Sequence, residues 1–216
     1  MNTSVLLLSK TSDWCKLAQR FIRKHGSGVL ILEGERGDKF PETAKTWQGE
    51  YIISFLSPWI IPPEVLLRAN KAAINFHPAP PEYPGIGCYN FALYDDAKEY
   101  GVTCHHMVEK VDSGAIVKVL RFPLFESDDI ASLKERSMAY LLVLFYDIAS
   151  LIICGHELPI SKETWRKRPY TRGELNALCK IKLDMSEDEI HRRVRATYYP
   201  GHPGPYLELA GHKFKV

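Results

Sequence analysis

The chain opens on a four-residue apolar run, Val5-Leu6-Leu7-Leu8, which reads as a buried strand. Residues 12–25 then repeat apolar side chains at helical spacing, with Ser12 placed to cap the start and Gly26 to stop the end. Val29-Leu30-Ile31-Leu32 predicts a second strand, and Tyr51-Ile52-Ile53-Ser54-Phe55 a third. Pro62-Pro63-Glu64 opens a short helix, because proline is tolerated in a first turn. A strand over 72–77 begins with Ala72-Ala73-Ile74 and is ended by Pro78. Strands alternating with helices in this way predict an α/β fold with a mostly parallel sheet.

Beyond a loop at 78–88, residues 89–95 read as helix, and 102–108 and 115–120 as two strands joined by a turn at Asp112-Ser113-Gly114. A long apolar helix runs from about 128 to 154, with Gly155 as its stop. Residues 161–172 are polar and basic and read as a linker. A helix over 187–196 follows, and then 206–209 and 213–216 flank Ala210-Gly211-His212 as a terminal β-hairpin. The pattern divides the chain into a main domain, 1–160, and a small C-terminal extension, 161–216.

Composition narrows the class. With 216 residues, 45% hydrophobic and 25% charged, the chain has the make-up of a soluble globular protein. A net charge of +2 points to no polyanionic partner, so nucleic acid is not expected. Val5–Leu8 is too short and lacks the basic lead-in of a secretory signal. The apolar stretch 139–154 contains Asp147 and is short for a membrane span, so it reads as a core helix rather than a membrane contact. Five cysteines without a CxxC pair fit a reduced, cytoplasmic setting.

The chemistry concentrates in Asn75-Phe76-His77-Pro78 and Val111-Asp112-Ser113-Gly114. Asn75 and His77, two apart on a strand, project to one face at its carboxyl end, where open α/β sheets hold their ligands. An amide that can stabilise an oxyanion and an imidazole that can move an amine's proton suit acyl transfer to an amine. Each has a plainer reading: His77 as a structural histidine, Asn75 as a backbone cap, Asp112 as a turn-former. His105 and His106 are strand neighbours facing opposite sides and cannot easily share an ion. No set of four spaced ligands is visible, so no metal is expected.

The ordered set Asn75-x-His77-Pro78, Tyr83-x-Gly85, Asn90-x-Ala92-Leu93, Gly101-Val102-Thr103-x-His105 and Asp112-x-Gly114-x-Ile116 resembles the folate-dependent formyltransferases. The resemblance runs from about Tyr51 to Ile116, with fainter echoes near the C-terminus. It implies a Rossmann-like domain that moves a formyl group from N10-formyltetrahydrofolate to a primary amine. It also implies catalytic roles for Asn75 (formyl oxygen), His77 (proton) and Asp112 (orienting the histidine or a water, and setting the folate). His105 matches a histidine on the same strand of the family. Phe55–Pro63 resembles the segment that wraps the pterin, which makes Leu56, Ser57, Trp59, Ile60 and Ile61 cofactor-binding candidates.

Within the family, glycinamide ribonucleotide transformylase binds phosphate on a glycine-rich loop after the first strand, and Leu8–Asp13 contains no glycine. Methionyl-tRNA formyltransferase carries a sizeable C-terminal domain, for which the 56 residues after Ile160 are few. The loop after His77 is also one residue shorter than in that enzyme, with Pro84 where arginine is common. The pattern Arg168-x-Tyr170-x-Arg172, Arg195-Ala196-Thr197 and Pro203-Gly204-x-Tyr206 is most similar to the sugar-nucleotide N-formyltransferases. That resemblance implies a nucleotide-linked amino-dideoxy sugar as acceptor, on the way to surface glycans such as lipopolysaccharide O-antigen. Tyr83, Arg168, Tyr170 and Arg172 are the acceptor-binding candidates; guanidinium groups pair bidentately with phosphate. Tyr198-Tyr199 is either a stacking platform or core. A formyl-folate hydrolase and an inactive folate- or nucleotide-binding module are the competing readings. The final hairpin and the helix 139–154 are both candidate faces for a homodimer.

Overall fold

Two-residue alternation along the strands sorts side chains onto the two faces of a six-stranded sheet. The computed structural model describes residues 3–215; Val216, the last residue of the expected hairpin, lies outside them. The elements are β1 (Ser4–Lys10), α1 (Asp13–His25), β2 (Gly28–Gly34), α2 (Glu42–Thr46), β3 (Gly49–Phe55), α3 (Pro63–Leu66), β4 (Ala69–His77) and α4 (Cys88–Tyr94). They continue with β5 (Glu99–His106), β6 (Ile116–Pro123), α5 (Ile130–Ile153), α6 (Arg172–Cys179), β7 (Lys180–Ile181), α7 (Glu187–Thr197), β8 (Tyr206–Leu209) and β9 (His212–Lys215).

The strand order is β2-β1-β3-β4-β5-β6. β1 to β4 run parallel; β5 pairs antiparallel with β4, and β6 antiparallel with β5, to which a hairpin joins it. Connections leave β1 in one direction to β2 and return on its other side to β3. That reversal opens a crevice at the carboxyl ends of β1 and β3, the point where such sheets bind ligands.

One face is the main core. Val5 and Leu7 of β1, Tyr51, Ile53 and Phe55 of β3, and Ile74 and Phe76 of β4 pack there against α1, α4 and α5. Phe55, Phe76 and Phe145 form its aromatic centre, with ring centroids 5.0–5.7 Å apart. α5 buries Leu133, Leu141, Leu144, Phe145, Ile148 and Ile152, which gives its apolar character a packing explanation. Its length and hydropathy would also suffice to cross a membrane. An Asp129–Ser132 capping box begins α5, and Gly155 in the left-handed region follows its end. The opposite face carries Leu6, Leu8 and Ile52 against short α2 and α3. That thinner cover leaves room for a cavity.

The expected strands and long helices are present, with β5 starting earlier and β6 ending later than the apolar pattern indicated. Three elements were not anticipated. α2 is five residues between Pro41 and Trp47, too short for a period to register. α6 rests on a Thr171–Glu174 capping box, a signal that is readable in T-x-x-E. β7 has two residues and joins the terminal hairpin in a three-stranded sheet ordered β7-β8-β9. Ala210 and Gly211 both take positive φ in that hairpin's two-residue turn.

The expected linker follows a defined path. Residues 161–170 lie as a strap across the loop after β4: Arg166 N–H donates to the Pro81 carbonyl, Tyr170 N–H to that of Pro84, and Ile86 N–H to that of Tyr170. Tyr170 stacks on Phe91 at 3.8 Å between centroids. Gly85, at φ +85°, passes so close that a Cβ there would stand 2.6 Å from the Tyr170 carbonyl oxygen. No other residue type fits both demands.

Candidate active site

On β4, Ile74 and Phe76 enter the main core, so Asn75 and His77 face the thinly covered side. On β5, Val102 and Cys104 enter the same core, which turns Thr103 and His105 the other way. The register sets Asn75 directly opposite His105 and His77 opposite Thr103. Cross-strand partners therefore converge on one patch. Thr103 Oγ1 donates to the Ala79 carbonyl at 2.7 Å and fixes the chain where it leaves β4.

Asp112 arrives from the turn between β5 and β6, at φ +45°. A Cβ at Gly114 would collide with the His106 carbonyl, so glycine is needed for the turn to fold back onto β5. Asp112 Oδ2 lies 3.3 Å from His77 Nδ1 and accepts from the Gly85 N–H at 2.9 Å. Its Oδ1 lies 3.4 Å from His105 Nε2. One buried carboxylate thus stands between two buried imidazoles.

Burial pushes the Asp112 carboxyl up, but the His77 ring, the His105 ring and the Gly85 N–H overcome it and hold it well below the usual carboxylate range. Burial pushes the His77 imidazole below its ordinary value, and the charge of Asp112 offsets only part of that. The resting site is an ionised carboxylate beside a neutral imidazole. Asp112 can only accept, so it draws the His77 proton to Nδ1 and leaves Nε2 as the basic nitrogen, 3.3 Å from the Tyr83 carbonyl. That carbonyl gains a hydrogen bond once Nε2 takes up a proton.

Asn75 is oriented through His105. The His106 carbonyl accepts from His105 Nδ1 at 2.8 Å, and His105 Nε2 lies 3.1 Å from Asn75 Nδ2 and 3.4 Å from Asp112 Oδ1. The amide's second N–H stays free for a ligand.

Asn75, His77, His105 and Asp112 line one cavity of about 460 Å³, within the usual range for small-molecule sites. Leu56, Ser57, Trp59, Ile60 and Ile61 form another part of its wall, together with Leu66, Met107 and Val108. Leu56 turns the chain out of β3 at φ +54°. Trp59 is braced by Phe40, at 6.1 Å between centroids, and its Nε1–H donates to the Asp38 carbonyl. Ile60 is 80% exposed on the rim. This part of the wall forms a largely apolar slot. Lys10, at the end of β1, and Lys110 are the cationic side chains of the wall.

The acceptor candidates are placed differently. Tyr83 is buried with its ring against Tyr100, and its backbone carbonyl, rather than its side chain, meets His77. Arg168 is exposed and held by both oxygens of Glu174. Tyr170 is committed to Phe91 and to Lys167, and Arg172 is exposed in the first turn of α6. None of the four lines the cavity. Among the residues that sequence reasoning does not single out, two bear most on the site. Lys10 was signalled by its place after the first strand; Trp165, whose ring lies 5.1 Å from His105 and 6.0 Å from His77, had no local signal at all.

The sequence profile of a family described as formyl transferase matches residues 17–140. A GDP-perosamine N-formyltransferase of Brucella melitensis is 28% identical over 180 residues, which is 83% of this chain and 68% of that protein. A methionyl-tRNA formyltransferase of a Geobacillus strain is 26% identical over 196 residues, 89% of this chain, and the chain spans 60% of that relative's length. A sugar N-formyltransferase structure from a Shewanella strain shares the fold with a TM-score of 0.80, covering 99% of this chain and 96% of its own at 21% identity. The profile covers more than half of the chain, including the strand ends and turn that bring Asn75, His77 and Asp112 together, and the chain belongs to the formyl transferase family.

Proposed function

We propose that this protein transfers a formyl group from N10-formyltetrahydrofolate to the primary amine of a nucleotide-linked amino-dideoxy sugar, such as dTDP-4-amino-4,6-dideoxyglucose. The observation that carries the reading is the meeting of Asn75, His77 and Asp112 in one cavity wall beside a largely apolar slot. The folate supplies the formyl carbon, and its N10 leaves with one proton as the amine becomes an amide.

Asn75 donates its free N–H to the formyl oxygen, where negative charge develops as the amine attacks; donors aimed at developing charge are the strongest catalytic device of such sites. His77 takes the proton that the amine sheds and returns it to the departing N10. Asp112 holds the ring in the needed tautomer and stabilises the imidazolium, with the Tyr83 carbonyl accepting from its other nitrogen. The slot of Leu56, Trp59, Ile60 and Ile61 aligns the donor.

Lys10 stands at the sheet's switch point and lines the cavity, so the reading gives it the first contact with the acceptor's diphosphate. Arg168 and Arg172 retain an outer one. That the Brucella relative is a GDP-perosamine N-formyltransferase supports an acceptor of this class. The test is a formyl-transfer assay on a panel of nucleotide-linked 4-amino and 3-amino dideoxysugars, read by mass. The expected result is an N-formyl product with one of them, lost in His77→Ala and in Asn75→Ala, and a higher acceptor KM in Lys10→Ala. Formate released without any amine would make the protein a hydrolase, and folate binding without turnover a binding module. Product with methionyl-tRNA alone would replace the acceptor.

A further inference from the structure

We propose that Trp165 is a positioning residue of this site, closing its catalytic corner from the strap and clamping the turn that carries Asp112. The inference rests on the assignment of Asn75, His77 and Asp112 to formyl transfer. Trp165 Nε1–H donates to the Gly114 carbonyl at 2.7 Å. Its indole meets His105 edge-on, at 5.1 Å and 85°, and His77 at 6.0 Å and 67°. It is absent from the cavity wall and so acts on the reaction through these groups.

The indole's position is imposed rather than incidental. On one side, Ser161 N–H donates to the Ile116 carbonyl, and Glu163 pairs with Arg121, which also holds Glu82. On the other side, Arg166, Tyr170 and Ile86 bond the strap to the loop after β4. These attachments reach both the loop that donates Gly85 N–H to Asp112 and the strand that follows Gly114. The strap therefore grips the site from two elements, with Trp165 midway.

The Asp112 turn needs such a grip. Its left-handed backbone is unfavourable for an aspartate without local support, and only Ser113 separates it from the residue whose carbonyl is clamped. Facing His77 are the Asp112 carboxylate from this turn, the His105 ring from β5 and the Tyr83 carbonyl from the loop after β4. Trp165 brings a neutral ring to that set. Covering the imidazole adds to the desolvation that keeps it neutral and basic at Nε2.

The test uses the whole protein with isotope-labelled histidine. The His77 ring is titrated by NMR in the wild type, Trp165→Ala and Trp165→Phe, and kcat and KM are measured for both substrates. Trp165→Ala is expected to move the His77 titration upward, toward the ordinary imidazole range. It should also lower kcat about tenfold or more, with each KM within about twofold. Trp165→Phe keeps a ring over both imidazoles and loses the Gly114 bond, so it should leave the titration near wild type and recover part of kcat. An unmoved His77 titration with unchanged kcat in Trp165→Ala overturns the proposal. So does a rise in KM at constant kcat, which would make Trp165 a substrate wall. If Trp165→Ala does not fold, wild-type kcat in Trp165→Phe overturns the clamp. If the wild type formylates no acceptor, the proposed function fails while the titration still decides the place of Trp165.

Discussion

Replacing Asp112 with asparagine tests the charge logic of the site with almost no change of shape. The carboxylate faces His77 Nδ1 at 3.3 Å, and at an effective dielectric of about 20 its attraction for an imidazolium is about 5 kcal/mol. Desolvation consumes much of this, and a hydrogen bond to a charged group nets about 1.5–3 kcal/mol. Lost from the proton-transfer step, that corresponds to about 10- to 150-fold in kcat. The asparagine oxygen still accepts from the Gly85 N–H, so the turn is retained. With the negative charge gone, only the Tyr83 carbonyl still opposes burial at His77, and its titration moves further down. The acid limb of the kcat/KM profile, which reports the free enzyme's base, should shift to lower pH while the plateau falls. The assay is tetrahydrofolate release across the pH range, with both substrates varied from below KM to saturation so that kcat/KM and kcat are each obtained. A plateau within threefold of wild type, or an acid limb that moves upward, would refute the account of Asp112 as the partner of His77.

Three further outcomes are expected. Asn75→Ala removes the proposed donor to the formyl oxygen and should cost about 10²- to 10³-fold in kcat with the folate KM little changed, measured in the same assay. Gly85→Ala forces a side chain against the Tyr170 backbone at positive φ, and should lose about 2–4 kcal/mol of stability in urea titration. His77 has a depressed folded value, so the unfolded chain binds its proton first as pH falls; stability should decline from about pH 6.5 downward to the folded value. His77→Gln should flatten that segment of the stability–pH curve, and an unchanged slope would show that His77 is not buried neutral.

The parts of the site that sequence made legible are those governed by local periodicity. Alternation through Ala72-Ala73-Ile74 sets Asn75 and His77 on one face, and the glycine at 114 marks the turn that carries Asp112. His105 was legible only as a matched motif position; its bond to Asn75 depends on the register of β4 against β5, which no local pattern states. The strap reads as a linker in sequence because its basic residues are solvated and its packing residues, Trp165 and Tyr170, are single aromatics without a period. Tyr83 was singled out for its side chain, whereas its backbone carbonyl faces the imidazole, and backbone contacts leave no trace in residue type.

The change from parallel to antiparallel pairing at β4 explains why the chemistry gathers there. β5 runs back along β4, with His106 opposite Ile74, and the turn into β6 folds over the sheet so that Asp112 stands beside His77 at the end of β4. Asp112 can therefore reach both His77 and His105 from a turn that is short in sequence and braced by Gly85 and by Trp165. The same return fills the β4 side of the sheet's carboxyl edge with polar groups, while the β1 and β3 side keeps the apolar slot and Lys10. A flat donor and an anionic acceptor entering from the slot and from the switch point would then meet at Asn75. This division predicts that slot variants such as Trp59→Ala raise the donor KM and that Lys10→Ala raises the acceptor KM, each leaving the other constant. A single variant that raised both would mean that the two substrates share one subsite.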